Sequence, residues 1–346
     1  MKHLLLIYCS LLILVLSCKP EKPTDIAKDD FGDTKALILN EGNFMWGNAS
    51  ISLYDLNNNS IVAEDIYKNK NITSVGDVLQ SATIIDDKIY LVINNSSKII
   101  IVDKKTLVKT GEITGLGSPR YIIDGLNGFL YSTDIYSDDI NIINKATNTI
   151  YTSIPCIGWT EQLIRHNNKI YLCNKESNYV YIINTTSNTI VDSIHIGYGA
   201  SNILLDNNDK LWVSSTGKSD LNIKANICRY NISGSSPIQE NKWEITSGSA
   251  NGLCCNKSKD KLYYIIGENI YTIASNTNAL ASSSLIHKAG AIWYGLGIEP
   301  VSGDIFVADA HDYVQKSSIY RYTSDGTQLK ASTKAGIISN GFLFWE

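Results

Sequence analysis

A pattern that returns about every forty residues restricts this chain to very few folds. Six strand-like runs share it: Lys88–Val92, Gly128–Tyr131, Lys169–Cys173, Lys210–Val213, Lys261–Ile265 and Asp304–Val307. Their starts lie 40, 41, 41, 51 and 43 residues apart. β-Branched and aromatic residues repeating at this period predict a β-propeller, all-β, with one four-stranded blade per repeat. An open solenoid or a pair of sandwiches explains the pattern less well, because solenoids need distinct caps and sandwiches need no shared period.

The fourth repeat can be divided strand by strand. Glu161–Arg165 reads as the inner strand, Lys169–Asn174 as the second, Tyr179–Asn184 as the third and Thr189–Ile194 as the outer. Asn, Asp, Gly and Ser mark the turns between them, where they accept positive φ or bond the local backbone. The third repeat matches with Asp139–Asn144 and Thr149–Ile154, and the second with Lys98–Asp103 and Leu107–Ile113. Inner strands of repeats two to seven begin near Gln80, Arg120, Gln162, Asn202, Asn251 and Tyr294. The first repeat has none; it opens on Lys35–Leu39 and continues through Ser50–Asp55. Ser339–Phe344 resembles Ser201–Leu205 and Ala250–Cys254, so the C-terminal strand is expected to complete blade 1 and close a seven-bladed ring over residues 35–346. Closure hides edges that would otherwise pair with other chains.

The N-terminus carries a different message. Lys2 and His3 precede an apolar run from Leu4 to Leu16, broken only by Ser10, which ends at Val15-Leu-Ser-Cys18. The run is short for a membrane span, which takes about 20 residues. It reads as a lipoprotein signal over residues 1–17, with Cys18 the lipidated residue; the alternative is an ordinary secretory signal. Residues 18–34 then form a tether rich in Pro and charge. Lys19 after the cysteine favours the outer membrane, with the lipid as the sole membrane contact.

The formal net charge is −4, or −5 once Lys2 leaves with the signal, and no Lys/Arg run occurs, which argues against nucleic acid as a partner. Abundant Asn and Ser, with 20 Tyr, suit hydrogen bonding and stacking rather than strong fields. Of seven cysteines, Cys9 leaves with the signal and Cys18 takes the lipid. Cys156, Cys173, Cys228, Cys254 and Cys255 remain as small buried hydrophobes, or with one disulfide among them.

In a propeller the starts of the inner strands and the loops between second and third strands share one face. The ring Gln80, Arg120, Gln162, Asn202, Asn251, Tyr294 and Asn340 is polar in every blade. It either caps strand starts and channel waters or offers amides and one guanidinium to a ligand. Around it, Trp46, Tyr136, Trp159, Tyr198, Trp293 and Tyr313 stand in or beside loops and are expected to include an aromatic rim. The loops at Asn40–Asn48, Asp134–Asp138, Ser215–Asn226 and Asp309–Gln315 supply the outer set. No GxSxG, HExxH, P-loop or GxGxxG occurs, so no catalytic residue is assigned. Asp309, His311 and Asp312 fit a hydrogen-bonded turn better than a metal site, and no metal or covalent cofactor is expected. With only Glu161 acidic beside the inner ring, a calcium-dependent lactonase is the weaker reading.

Leu37–Phe44, Asn48–Asp55, Gly76–Ser81, Ile93–Ser96, Gly117–Tyr121 and Val307–Tyr313 together resemble Bacteroides-type YncE-like propeller lipoproteins of the YVTN/surface-layer group. That resemblance runs from about Lys35 to Trp345. The group includes BtuG-type surface lipoproteins, seven-bladed propellers that capture cobalamin and pass it to a TonB-dependent outer-membrane transporter. The resemblance implies capture of a nutrient, a corrinoid first, at the cell surface rather than catalysis. It carries over no binding residue. A glycan-binding or protein-interaction propeller is the alternative.

Overall fold

A computed structural model describes residues 34–126 and 128–345, and of Leu126 the backbone alone. The expected signal, Cys18 and nearly all of the expected tether lie outside the described residues.

Seven four-stranded antiparallel sheets make up the ring. The second and third strands are buried almost throughout, as in Lys88–Ile93, Lys169–Asn174 and Lys98–Asp103. Both of their faces meet a neighbouring blade, so they read as continuous apolar runs rather than as alternating ones. Outer strands face water: Thr149–Pro155 buries only Ile154, and Thr189–His195 only Ile194. The core is accordingly divided into seven clusters, one between each pair of adjacent blades. Tyr171, Cys173 and Val180 of blade 4, for example, pack on Ile203, Leu205 and Leu211 of blade 5.

The turn from third to outer strand shows how local sequence fixes the repeat. Asp55, Asp103, Asn144 and Asn184 each end a third strand (in blade 1 its equivalent, Ser50–Asp55) and accept backbone N–H bonds from residues two and three further on. Asn59, Leu107, Asn148 and Asn188 then take positive φ and send the chain back. Leu107 was expected to open an outer strand; its φ of 58° places it in the turn, and the strand runs Lys109–Ile113.

Ser339–Phe344 pairs with Lys35–Asn40, setting Ala36 opposite Phe344 and Ile38 opposite Phe342, and completes blade 1 from the far end of the chain. Asn40 clasps the junction. Its amide donates to Ser52 at 3.0 Å, and its carbonyl accepts from Ser339 Oγ at 2.6 Å and Gly336 N at 3.1 Å. A Cβ on Gly336 would sit 2.5 Å from Asn40 Cγ, so only glycine fits there. Arg321 adds an ion pair to Asp304 at 2.6 Å and a bond to Leu56 O at 2.6 Å, joining blade 7 to blade 1.

Two features were not foreseen. A short α-helix, Ile66–Asn71, fills the step from blade 1 to blade 2, with Asp65 accepting from Lys68 N at its start. The outer strand of blade 6 is reduced to Ile286–His287.

Candidate functional site

The seven inner strands are Ser339–Phe344, Leu79–Ile85, Pro119–Leu126, Thr160–His166, Ala200–Leu205, Asn251–Cys255 and Trp293–Ile298. All seven ring residues, Gln80, Arg120, Gln162, Asn202, Asn251, Tyr294 and Asn340, line one cavity of about 350 Å³ at the mouth of the channel. Glu41, Glu161, Lys175 and Ser201 line it as well.

The charged half of this mouth lies on blades 3 and 4. Arg120 donates to Glu161 at 2.8 Å and to Gln80, and Lys175 stands 3.8 Å from the same Glu161 oxygen. Glu161 is 4% exposed in its side chain and Arg120 14%, so this pair is largely dry. Burial is the largest single influence and works against the guanidinium's charge, but Glu161, Tyr121 and Glu41 together outweigh it and the Arg120 pKa rises. The indole of Trp159 meets both cations, 5.3 Å from the guanidinium carbon of Arg120 and 4.2 Å from Lys175 Nζ.

The other half lies on blades 7 and 1. Glu41 follows directly on Lys35–Asn40 and accepts from Tyr294 OH at 3.1 Å and Asn340 Nδ2 at 2.9 Å. Burial pushes its carboxyl up, more than these hydrogen bonds and the charge of Arg120 bring it down. Burial likewise raises the phenol of Tyr294 well above the ordinary tyrosine value. Tyr313 meets Tyr294 edge to face at 5.7 Å, so it borders the mouth.

Several buried polar atoms here have no hydrogen-bond partner among the described residues: Arg120 Nε, Ser201 Oγ, Asn340 Oδ1 and, beside Arg120, Trp159 Nε1. An unmade bond on a buried group costs about 1–3 kcal/mol, so a cluster of such groups around one cavity is an arrangement that awaits hydrogen-bonding matter.

The aromatics separate into three kinds. Trp46 and Tyr136 project freely, 77% and 79% exposed. Trp159 and Tyr198 are half-buried under lysines, Tyr198 beneath Lys218 Nζ at 4.6 Å. Trp293 corrects the sequence reading: it is 6% exposed, its indole donates to Glu268 O at 2.9 Å, and it packs edge to face on Tyr320. The strand alternates, so Tyr294 faces the channel and Trp293 turns into the blade 6–7 cluster. Glu41 is the residue that sequence reasoning missed. Its strand neighbour in the ring comes from the other end of the chain, and only its place straight after a buried strand marked it.

Asp309, His311 and Asp312 form a turn. Asp309 accepts from Ile292 N and His311 N, Asp312 from Val314 N and Gln315 N, and His311 Nε2 contacts Ser318 at 2.8 Å. Among the described residues no cluster of three metal-ligating side chains occurs. Among the described residues no disulfide joins these five cysteines, and Cys254 and Cys255 line different cavities, as adjacent strand residues should.

Fold and site together define a seven-bladed β-propeller with a polar cavity at one end of its channel. The chain belongs to the family described as "Domain of unknown function (DUF5074)", whose model matches residues 35–344. No curated protein matches the sequence. A quinonprotein alcohol dehydrogenase-like protein from Bacteroides thetaiotaomicron is similar in structure, with a TM-score of 0.71 at 15% identity over 91% of this chain and 78% of that one. The periplasmic gluconolactonase of Pseudomonas aeruginosa gives 0.69 at 11% identity over 90% and 99%. A functionally unknown protein from Desulfotomaculum acetoxidans gives 0.69 at 12% over the same shares. At these identities the likeness is one of fold.

Proposed function

We propose that this propeller is a ligand-capture protein, held to the outer membrane at the cell surface through Cys18, that binds a corrinoid such as cobalamin and delivers it to a TonB-dependent transporter. One observation carries the capture reading: seven polar strand starts converge on one cavity in which Arg120 Nε, Ser201 Oγ and Asn340 Oδ1 lack partners. About 350 Å³ is near the lower end of small-molecule sites, so a macrocycle does not enter whole. A corrin, with amide arms around an apolar edge, would send an arm into the mouth and lay its body toward Trp46, Tyr136 and Tyr313. The amides of Gln80, Gln162, Asn202 and Asn251 match such arms in both donors and acceptors. The choice of corrinoid rests on the resemblance of the sequence.

Ser201→Ala tests the site. It removes a hydroxyl that has no bond to lose, so the fold keeps its stability. Cyanocobalamin affinity falls about three- to tenfold, the worth of one hydrogen bond. Unchanged affinity would reject this cavity as the site.

A second reading, hydrolysis in the channel, is favoured by Glu41, a buried carboxyl with a raised pKa facing Arg120. Lactone turnover abolished by Glu41→Gln would establish it; no turnover by the wild type would remove it.

A further inference from the structure

The inner strands that open the polar mouth end in a second cavity with an apolar floor and a cationic border. Asn340 lines the mouth and Phe344 the far cavity, four residues or about 14 Å along the same strand. Ile84 and Ile298, late in the inner strands of blades 2 and 7, join Phe344 in a cavity of about 430 Å³. Its remaining wall includes Lys104, Lys257 and Lys259.

The backbones of Lys104 and Lys259 are held by hydrogen bonds. Lys104 donates to Asp87 O at 2.8 Å and its carbonyl accepts from Trp345 Nε1 at 3.3 Å. Lys259 holds a φ of 55°, donates to Asn256 O at 2.9 Å and accepts from Asn207 N at 3.0 Å. Among the described residues, none of the three ammonium groups has a carboxylate partner. The nearby acids are engaged in their own turns. Asp260 accepts from Asn256 Nδ2 and Ser258 Oγ, both at 2.7 Å, and Glu299 from Val301 N and Ser302 N. Three cations thus border a pocket with an apolar floor, in a chain whose net charge is negative.

We propose that this cavity is a binding site for a small amphiphilic organic anion, an alkyl or aryl carboxylate. The apolar body would rest on Ile84, Ile298 and Phe344, and the carboxylate would meet Lys257 and Lys259 at the opening. The site is separate from the polar mouth and stands or falls independently of the corrinoid reading.

Calorimetric titration of the full chain with octanoate, and with 1-octanol as its uncharged counterpart, tests this. Saturable one-to-one binding of octanoate is expected, at least tenfold tighter than that of 1-octanol. The pair Lys257→Gln and Lys259→Gln, both in an exposed turn, weakens octanoate at least tenfold and leaves the melting temperature and cyanocobalamin titration as in the wild type. Three outcomes overturn the proposal: no saturable octanoate binding, equal affinity for 1-octanol, or an unchanged affinity in the double variant.

Discussion

Arg120 and Glu161 form a 2.8 Å ion pair that ties the inner strand of blade 3 to that of blade 4 at the rim of the channel. It is the most enclosed charge pair in the mouth, and it fixes the position of the guanidinium at the cavity's edge.

Arg120→Met should therefore destabilise the protein. Glu161 would be left buried with Lys175 at 3.8 Å as its remaining cation, and removal of one partner of a buried pair costs about 3–5 kcal/mol. Urea unfolding measures the loss, and Arg120→Met with Glu161→Leu should recover most of it. A single variant as stable as the wild type would show the pair to be solvated.

Glu41 makes stability depend on pH in a set direction. Its native pKa lies above the ordinary value of 4.5 because of burial, so the folded state holds the proton more tightly than the unfolded one. This contribution is complete below pH 4.5 and is lost as pH rises through the elevated native value. Glu41→Gln keeps an acceptor for Tyr294 and Asn340 and removes the titration. The stability difference between wild type and variant, followed from pH 4 to 8, should shift steadily against the wild type; a flat difference would deny the raised pKa.

Two tryptophans with the same sequence credentials should behave in opposite ways. Trp293→Ala removes a buried ring and should cost about 3–5 kcal/mol. Trp46→Ala, on an exposed loop, should change stability by less than about 0.5 kcal/mol and yet weaken corrinoid binding. Thermal melts and a ligand titration on both variants decide the matter. Loss of binding without loss of stability in Trp46→Ala is the expected signature of a rim contact.

Removal of residues 337–346 should prevent folding. It takes the inner strand of blade 1 and the Ser339 bond to Asn40, and exposes the edge of Lys35–Asn40. Gel filtration should show aggregate in place of monomer. A folded monomer would mean that six blades and a partial seventh suffice.

The ring was legible because its repeat is carried by buried second and third strands, whose composition water cannot vary freely. The polar starts of the inner strands were legible for the complementary reason: Gln80, Asn202 and Asn251 break apolar runs at a constant place. Trp293 was misread because one residue of register separates channel from core, and Tyr294 beside it has the same aromatic character. Glu41 was missed because its partner Asn340 is 299 residues away, brought near only by ring closure. The far cavity has no motif at all; its lysines come from separate turns and its floor from strand ends that read simply as core.

Calorimetric titration with cyanocobalamin decides whether the polar mouth captures a corrinoid. One-to-one binding at nanomolar Kd or tighter is the predicted result. Absence of heat, together with no competition at micromolar protein, would contradict it and leave glycans and protein partners as the ligands to examine.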